Sequence, residues 1–178
     1  MHRSCGKRHY YLVIWLYYSI PGEVHIFMEE YLRLVLHDFL EEVTETPESS
    51  TAAKRFDVRD DNKRELLDEK RAQALHHAVA QLLFTGIIFR NDTQTAIVFL
   101  TTRVWKPDEE GWQKMRILLG YLKLTIKLPL ILRADRVNML KWWVDTLYAA
   151  HDDMRVHTGG TMSMGVNGRG SIINISKG

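Results

Sequence analysis

An aspartate closes an apolar run near the C-terminus, Leu140-Lys141-Trp142-Trp143-Val144-Asp145. A carboxylate placed where a buried strand ends can face a cleft and ligate a metal ion. The alternative is an Asp whose side chain caps the following turn. Two pairs of adjacent acids, Asp60-Asp61 and Asp152-Asp153, offer the oxygen donors that a hard cation such as Mg²⁺ takes. Both pairs fall in polar stretches and read better as solvated faces. His76 and His77 are neighbours on one helical stretch, so they point about 100° apart and do not converge on one ion. No His-x-x-x-His pair occurs and Cys5 is the one cysteine, so neither zinc nor a disulfide framework is expected. A Walker loop, a nucleophile-elbow serine and a Gly-x-Gly-x-x-Gly run are also missing from the sequence.

A second kind of chemistry is electrostatic. The 178 residues carry 24 Lys+Arg and 22 Asp+Glu, a net charge of +2. That balance hides a split. Residues 23–69 hold 14 acidic against 6 basic side chains, whereas residues 111–178 hold 10 basic against 4 acidic. A basic half can follow a polyanion, and Lys114, Lys123, Lys127, Arg133 and Arg136 are its candidate phosphate contacts. The plainer alternative is an ordinary solvated surface. A hydrophobic fraction of 46% with 26% charged residues excludes a disordered acidic tail, a collagenous chain and a membrane bundle. The longest apolar run, Tyr10 to Ile20, is about half a membrane span. Arg3, Lys7 and Arg8 precede it as in a signal peptide, but it is rich in Tyr and Trp and ends in Pro-Gly without a cleavage site. It reads as a strand, and an intracellular (cytoplasmic or nuclear), non-membrane protein is expected.

The elements that must position these residues follow from periodicity. Tyr10 to Tyr18 is β-branched and aromatic, Ile20-Pro21-Gly22-Glu23 is a turn, and Val24 to Met28 returns as the second strand of a hairpin. Leu32, Val35, Leu36 and Phe39 recur at helical spacing, which predicts a helix from Glu29 to about Glu42. Thr44 to Asn62 has no period and reads as a linker or long loop. Asp68 can cap a helix whose stripe is Ala72, Leu75, Val79, Leu82 and Leu83. Further helices are expected over about Asp92–Arg103 and Asp108–Leu124, the latter turning Trp112, Met115, Leu119 and Leu122 inward and Lys114 and Lys123 outward. After Pro129 the pattern becomes short strands: Leu130–Arg133, Met139–Tyr148, Thr161–Gly165 and Ser171–Ser176, with Asn167-Gly168 as a hairpin turn. A sheet begun so late, with no helix to follow, is expected to leave Trp142 or Trp143 on an uncovered face that favours self-association.

Several stretches, in order, resemble one family: the copia-type retrotransposon polyprotein across the junction of reverse transcriptase and ribonuclease H. Lys141-Trp142-Trp143-Val144-Asp145-Thr146-Leu147-Tyr148-Ala149, then His157-Thr158-Gly159-Gly160, resembles the "W-V-D-A-S-Y-A … H-T-G-G" opening of the ribonuclease H domain. Pro107, Trp112, Arg116 and Tyr121-Leu122-Lys123 followed by Thr125 resemble the "P … W … R-x-L-x-Y-L-K-x-T" helix. Ala80-Gln81-Leu82-Leu83-Phe84 through Arg90-Asn91-Asp92 is similar to "G-x-L-L-Y … R-P-D". Tyr11-Leu12, Tyr18-Ser19, Gly22-Glu23-Val24 and Tyr31-Leu32 resemble the end of the palm.

The resemblance implies an α+β fold: an N-terminal β-hairpin with a helix (the palm end, 1–43), a linker (44–67), a helical thumb and connection block (68–136), and an incomplete ribonuclease H-like antiparallel sheet (137–178). It implies a parent enzyme that copies RNA into DNA and cleaves hybrid RNA with two Mg²⁺ ions. In this chain the implied catalytic set is broken. The polymerase's Tyr-x-Asp-Asp motif lies upstream of anything aligned, and Val58-Arg59-Asp60-Asp61 imitates it only in the linker. Of the four ribonuclease H carboxylates only the first maps, onto Asp145, and the second would lie beyond Gly178. Asp145 is thus expected as an orphaned catalytic and metal ligand, with no Mg²⁺ bound tightly. Thr146-Leu147 replaces a small pair, Asn91 replaces a proline, and Val13 to Tyr17 has lost the family's Gly and polar residues. The expectation is an inactive segment that binds RNA–DNA hybrid or duplex weakly. The alternatives are a non-catalytic nucleic-acid-binding module and a decayed reading frame with no selected role.

Overall fold

The computed structural model describes residues 6–45, 65–136, 138–147, 157–166 and 171–177. Among these residues the fold is α+β, with four α-helices and two antiparallel sheets. The N-terminal sheet begins with β1 (Arg8–Tyr11) and β2 (Ile14–Tyr17), which pair with Tyr11 opposite Ile14. The run from Tyr10 to Tyr18, expected as one strand, is therefore two strands folded about Leu12-Val13. Both turn residues have positive φ, 46° and 62°. Two-residue hairpin turns demand that conformation and Asn or Gly adopt it most easily, so an apolar Leu-Val turn carried no sequence signal.

Pro21-Gly22 makes the second turn as expected. Glu23 N–H donates to the Ile20 carbonyl at 3.1 Å, and Gly22 supplies the positive φ of 78°. The chain then returns as β3 (Glu23–Phe27), paired with β2. The next strand in the chain, β4 (Leu130–Arg133), joins β3 antiparallel, so a segment more than a hundred residues away completes this sheet. The strand order is β1-β2-β3-β4. Ile14, Leu16, Val24, Ile26, Leu130 and Leu132 alternate onto its inner face and meet the helices.

Helix α1 (Glu29–Asp38) opens with two acids in its first turn and stops four residues earlier than its periodicity suggests, because Phe39 is extended and turns its ring into the core. Asp68 caps α2 (Glu69–Ile88), accepting from the Arg71 N–H at 2.8 Å. The helix expected from Asp92 is a 3₁₀ turn at Asn91–Thr93 leading into α3 (Gln94–Thr101). Asp108 caps α4 (Glu109–Leu124), accepting from the Gly111 N–H at 2.7 Å. Trp112, Met115, Leu119 and Leu122 are all fully buried there, as their spacing predicts. Glu65 and Leu67, at the end of the expected linker, bond to the backbone that enters α4.

The second sheet is the meander β5 (Leu140–Leu147), β6 (His157–Met164) and β7 (Ile173–Lys177). β6 starts four residues before the apolar pattern does, because His157-Thr158-Gly159-Gly160 carries no alternation yet pairs with the end of β5. This sheet was expected to stand uncovered. Instead β7 lies against α2 and α3, and the half-exposed Ile175 borders one open cleft with Leu83, Ile87 and Ile97. Trp142 and Trp143 remain exposed, as anticipated. Asn167-Gly168 lies outside the described residues.

Candidate nucleic-acid interface

Asp145 is the sixth residue of β5, two short of its end. In register with it are Gly159 on β6 and, beyond, Ser176 on β7. Neither supplies a carboxylate. Among the described residues no three His, Cys, Asp or Glu side chains converge on a possible ion position. A two-Mg²⁺ centre needs several converging carboxylates, and the described residues assemble no such set. Asp60, Asp61, Asp152 and Asp153 lie outside the described residues.

The candidate phosphate contacts separate into two groups. Lys114 and Lys123, expected outward, are turned to structural work. Lys114 is 13% exposed, its ammonium 2.7 Å from Glu110 and 4.5 Å from the centre of the Phe99 ring. Lys123 donates to the Val43 carbonyl at 2.8 Å. Nine residues apart, the two sit on opposite sides of α4, so they form no common patch. The long apolar stems explain the misreading, since lysine covers hydrophobic surface while its head finds a polar partner at the rim. Lys127, Arg133 and Arg136 are exposed, and Arg133 faces Glu23 at 3.6 Å across β3–β4.

Lys127 borders a cleft, an open concavity of about 770 Å³ over the outer face of the N-terminal sheet. Its floor is aromatic. Trp15, Tyr17 and Phe27 line it together with His25, and strand alternation puts Tyr10 outward on the same face, opposite the core-facing set. Ring centroids lie 4.8 Å apart for Tyr10–Trp15, 6.3 Å for Trp15–Tyr17 and 5.1 Å for Tyr17–Phe27. The Arg8 guanidinium sits 4.9 Å above the Tyr17 ring. Glu29 and Glu30 form one rim, but Glu29 is engaged by Arg33 at 2.7 Å and Glu30 accepts from the Trp15 indole at 3.3 Å. Arg8 and Lys127 have no carboxylate partner among the described residues. Aromatic faces beside cations that lack a carboxylate partner are chemically suited to stacking flat rings and neutralising anions. The signal was present as aromatic residues two apart, and reading one strand where there are two concealed it.

The stretches that carry the family resemblance meet elsewhere, in the core. Arg90, 2% exposed, grips Asp92 with two hydrogen bonds of 2.8 and 2.6 Å and reaches Thr125 through its hydroxyl and carbonyl. The Tyr121 hydroxyl donates to Asp92 at 2.7 Å, and Arg90 lies over the Tyr121 ring. Burial opposes ionisation of Asp92, but the Arg90 hydrogen bonds and charge, with the Tyr121 hydroxyl, outweigh it and hold the carboxyl below its usual range. Burial first, then the neighbouring Asp92, pushes the Tyr121 hydroxyl up. Trp112 is sandwiched between Phe39 at 4.8 Å and the Arg71 guanidinium at 4.6 Å, while Arg71 also bonds Glu109. Tyr31 donates to the Gln81 carbonyl at 3.1 Å. No protein family, curated protein or solved structure matches the chain.

Proposed function

We propose that this chain is a segment of a copia-type reverse transcriptase and ribonuclease H, running from the palm end through the thumb and connection into the first ribonuclease H strands. Its own contribution is to hold nucleic acid without chemistry. Two features support the family reading. Arg90 and Asp92 come from one motif stretch, Tyr121 and Thr125 from another, and the four meet in a single hydrogen-bonded cluster. The Trp-Trp-Val-Asp stretch lies on the first strand of a three-stranded antiparallel meander, as the start of a ribonuclease H-like sheet requires. On this reading the chain acts inside the cell, where RNA and RNA–DNA hybrids occur. No helix among the described residues is long and apolar enough to cross a membrane.

One observation carries the binding function: the row of Tyr10, Trp15, Tyr17 and Phe27, flanked by Arg8 and Lys127. Stacking on an aromatic is worth about 1–3 kcal/mol per base and is indifferent to sequence. The ligand class is therefore single-stranded nucleic acid, or the frayed end of a hybrid, bound without sequence preference. The test is a fluorescence-anisotropy titration of a labelled oligonucleotide at low salt. Trp15→Ala with Lys127→Glu should weaken binding about tenfold or more, and affinity should fall steeply as salt rises. Equal affinity in the variant would dismiss this surface.

A further inference from the structure

We infer that the cleft over the N-terminal sheet prefers RNA to DNA, with Glu29 and Glu30 accepting hydrogen bonds from ribose 2′-hydroxyls; this rests on the proposal that the cleft holds a single strand. Two carboxylates on the rim of a site for a polyanion need a physical reason. They repel phosphates, and an ionised carboxylate can only accept hydrogen bonds. Each is held through one of its oxygens. Glu30 Oε1 accepts from the Trp15 indole N–H at 3.3 Å, and Glu29 Oε1 takes two Arg33 donors, at 3.2 and 2.7 Å. The second oxygen of each takes no hydrogen bond from the described residues. Both carboxylates are therefore anchored at the cleft with one acceptor open.

A single strand offers two kinds of donor to such an acceptor. Base amino and imino groups differ from base to base, whereas the 2′-hydroxyl recurs at every RNA nucleotide and is missing from DNA. Stacking on Trp15, Tyr17 and Phe27 admits any base, so the donor that is always present is the sugar's. The position fits as well. An indole N–H points outward in the plane of its ring, so Glu30 stands at the edge of the Trp15 ring. A base stacked on that ring carries its ribose beyond the ring edge, where the rim lies. Arg8 and Lys127 remain for the phosphates. DNA in the cleft would desolvate the carboxylates beside phosphates and give no donor in exchange. A site built around a hydroxyl discriminates against the ligand that lacks it.

The test is an anisotropy titration of the full chain at low salt with labelled oligouridylate, oligodeoxyuridylate and 2′-fluoro-oligouridylate of equal length. The three share one base, so stacking is constant, and the fluorine keeps an RNA-like sugar that cannot donate. The ribo strand should bind about tenfold tighter than either of the others. Glu30→Ala should bring that ratio close to one, and Glu30→Gln, which keeps an acceptor without the charge, should retain it. Equal affinity for the ribo and deoxy strands, tight binding of the fluoro strand, or a ratio unchanged in Glu30→Ala overturns the inference. So does a guanine-containing deoxy strand that binds as tightly as the ribo strand and loses this in Glu30→Ala, since base donors would then be the partners. Trp15→Ala with Lys127→Glu separates the two levels. Equal ribo and deoxy binding that this double variant weakens removes the sugar preference alone. Binding that the double variant leaves unchanged removes the surface proposal, and the sugar preference with it.

Discussion

Arg90 is the most deeply committed charged residue of the described chain, and its partners define what the motif residues do. A guanidinium taken out of water is tolerated because Asp92 and Thr125 satisfy its donors. Removing Asp92 leaves that cation buried with Thr125 as its hydrogen-bond partner and the Tyr121 ring beside it. Asp92→Ala is therefore expected to cost about 3 kcal/mol, at the low end for a buried pair because Asp92 itself is about a third exposed. Urea denaturation gives the value. The pH dependence has a definite sign. A native carboxyl held below its unfolded value, near about 3.9, contributes stability above that value and loses it as pH falls through the lower native one. Acid titration of the unfolding free energy should show this extra loss in the unaltered chain and not in Asp92→Asn. The same scale separates the lysines. Lys123→Glu should lower stability by breaking the bond to Val43 and leave nucleic-acid affinity unchanged, while Lys127→Glu should do the reverse.

At the scale of elements, what could be read in the sequence was whatever depends on neighbours three or four residues away. The capping aspartate Asp68, the buried stripe of α4 and the Pro-Gly turn all rest on local geometry, and all are found where expected. The partner of β4 could not be read, because pairing with β3 is a long-range choice that four apolar residues do not encode. The turn at Leu12-Val13 was hidden for the opposite reason: it contradicts local preference. Holding an L-residue in the left-handed region costs roughly 1–2 kcal/mol. Leu12 is largely exposed, so replacing it loses little packing. Leu12→Asn is expected to stabilise the chain by about 1 kcal/mol, measured as a higher denaturation midpoint at unchanged slope. The outer aromatic row became legible only once that turn divided the run into two strands. The motif cluster was readable as residues but not as a structure, since Arg90 and Thr125 are 35 positions apart.

Across the whole molecule, the uneven charge has a structural use. The acidic N-terminal segment and basic C-terminal half face each other through Glu41 with Arg116 at 3.4 Å and Glu23 with Arg133 at 3.6 Å. Each such exposed pair contributes little alone, but together they draw basic charge away from solvent and leave Arg8 and Lys127 over the aromatic floor. For catalysis, no three metal-ligating side chains converge among the described residues, and Asp145 has glycine and serine in register on the neighbouring strands. Incubation with labelled RNA–DNA hybrid and Mg²⁺ or Mn²⁺ should give no cleavage above background, and Asp145→Asn should behave identically. The central claim is that the outer face of the N-terminal sheet holds single-stranded nucleic acid. Its most direct measurement is a low-salt anisotropy titration of one labelled oligonucleotide against the unaltered chain, Trp15→Ala/Lys127→Glu and Lys114→Glu. The account predicts salt-sensitive binding by the unaltered chain, retained by Lys114→Glu and weakened about tenfold or more in the double variant. No binding at all, or loss in Lys114→Glu with none in the double variant, would contradict it.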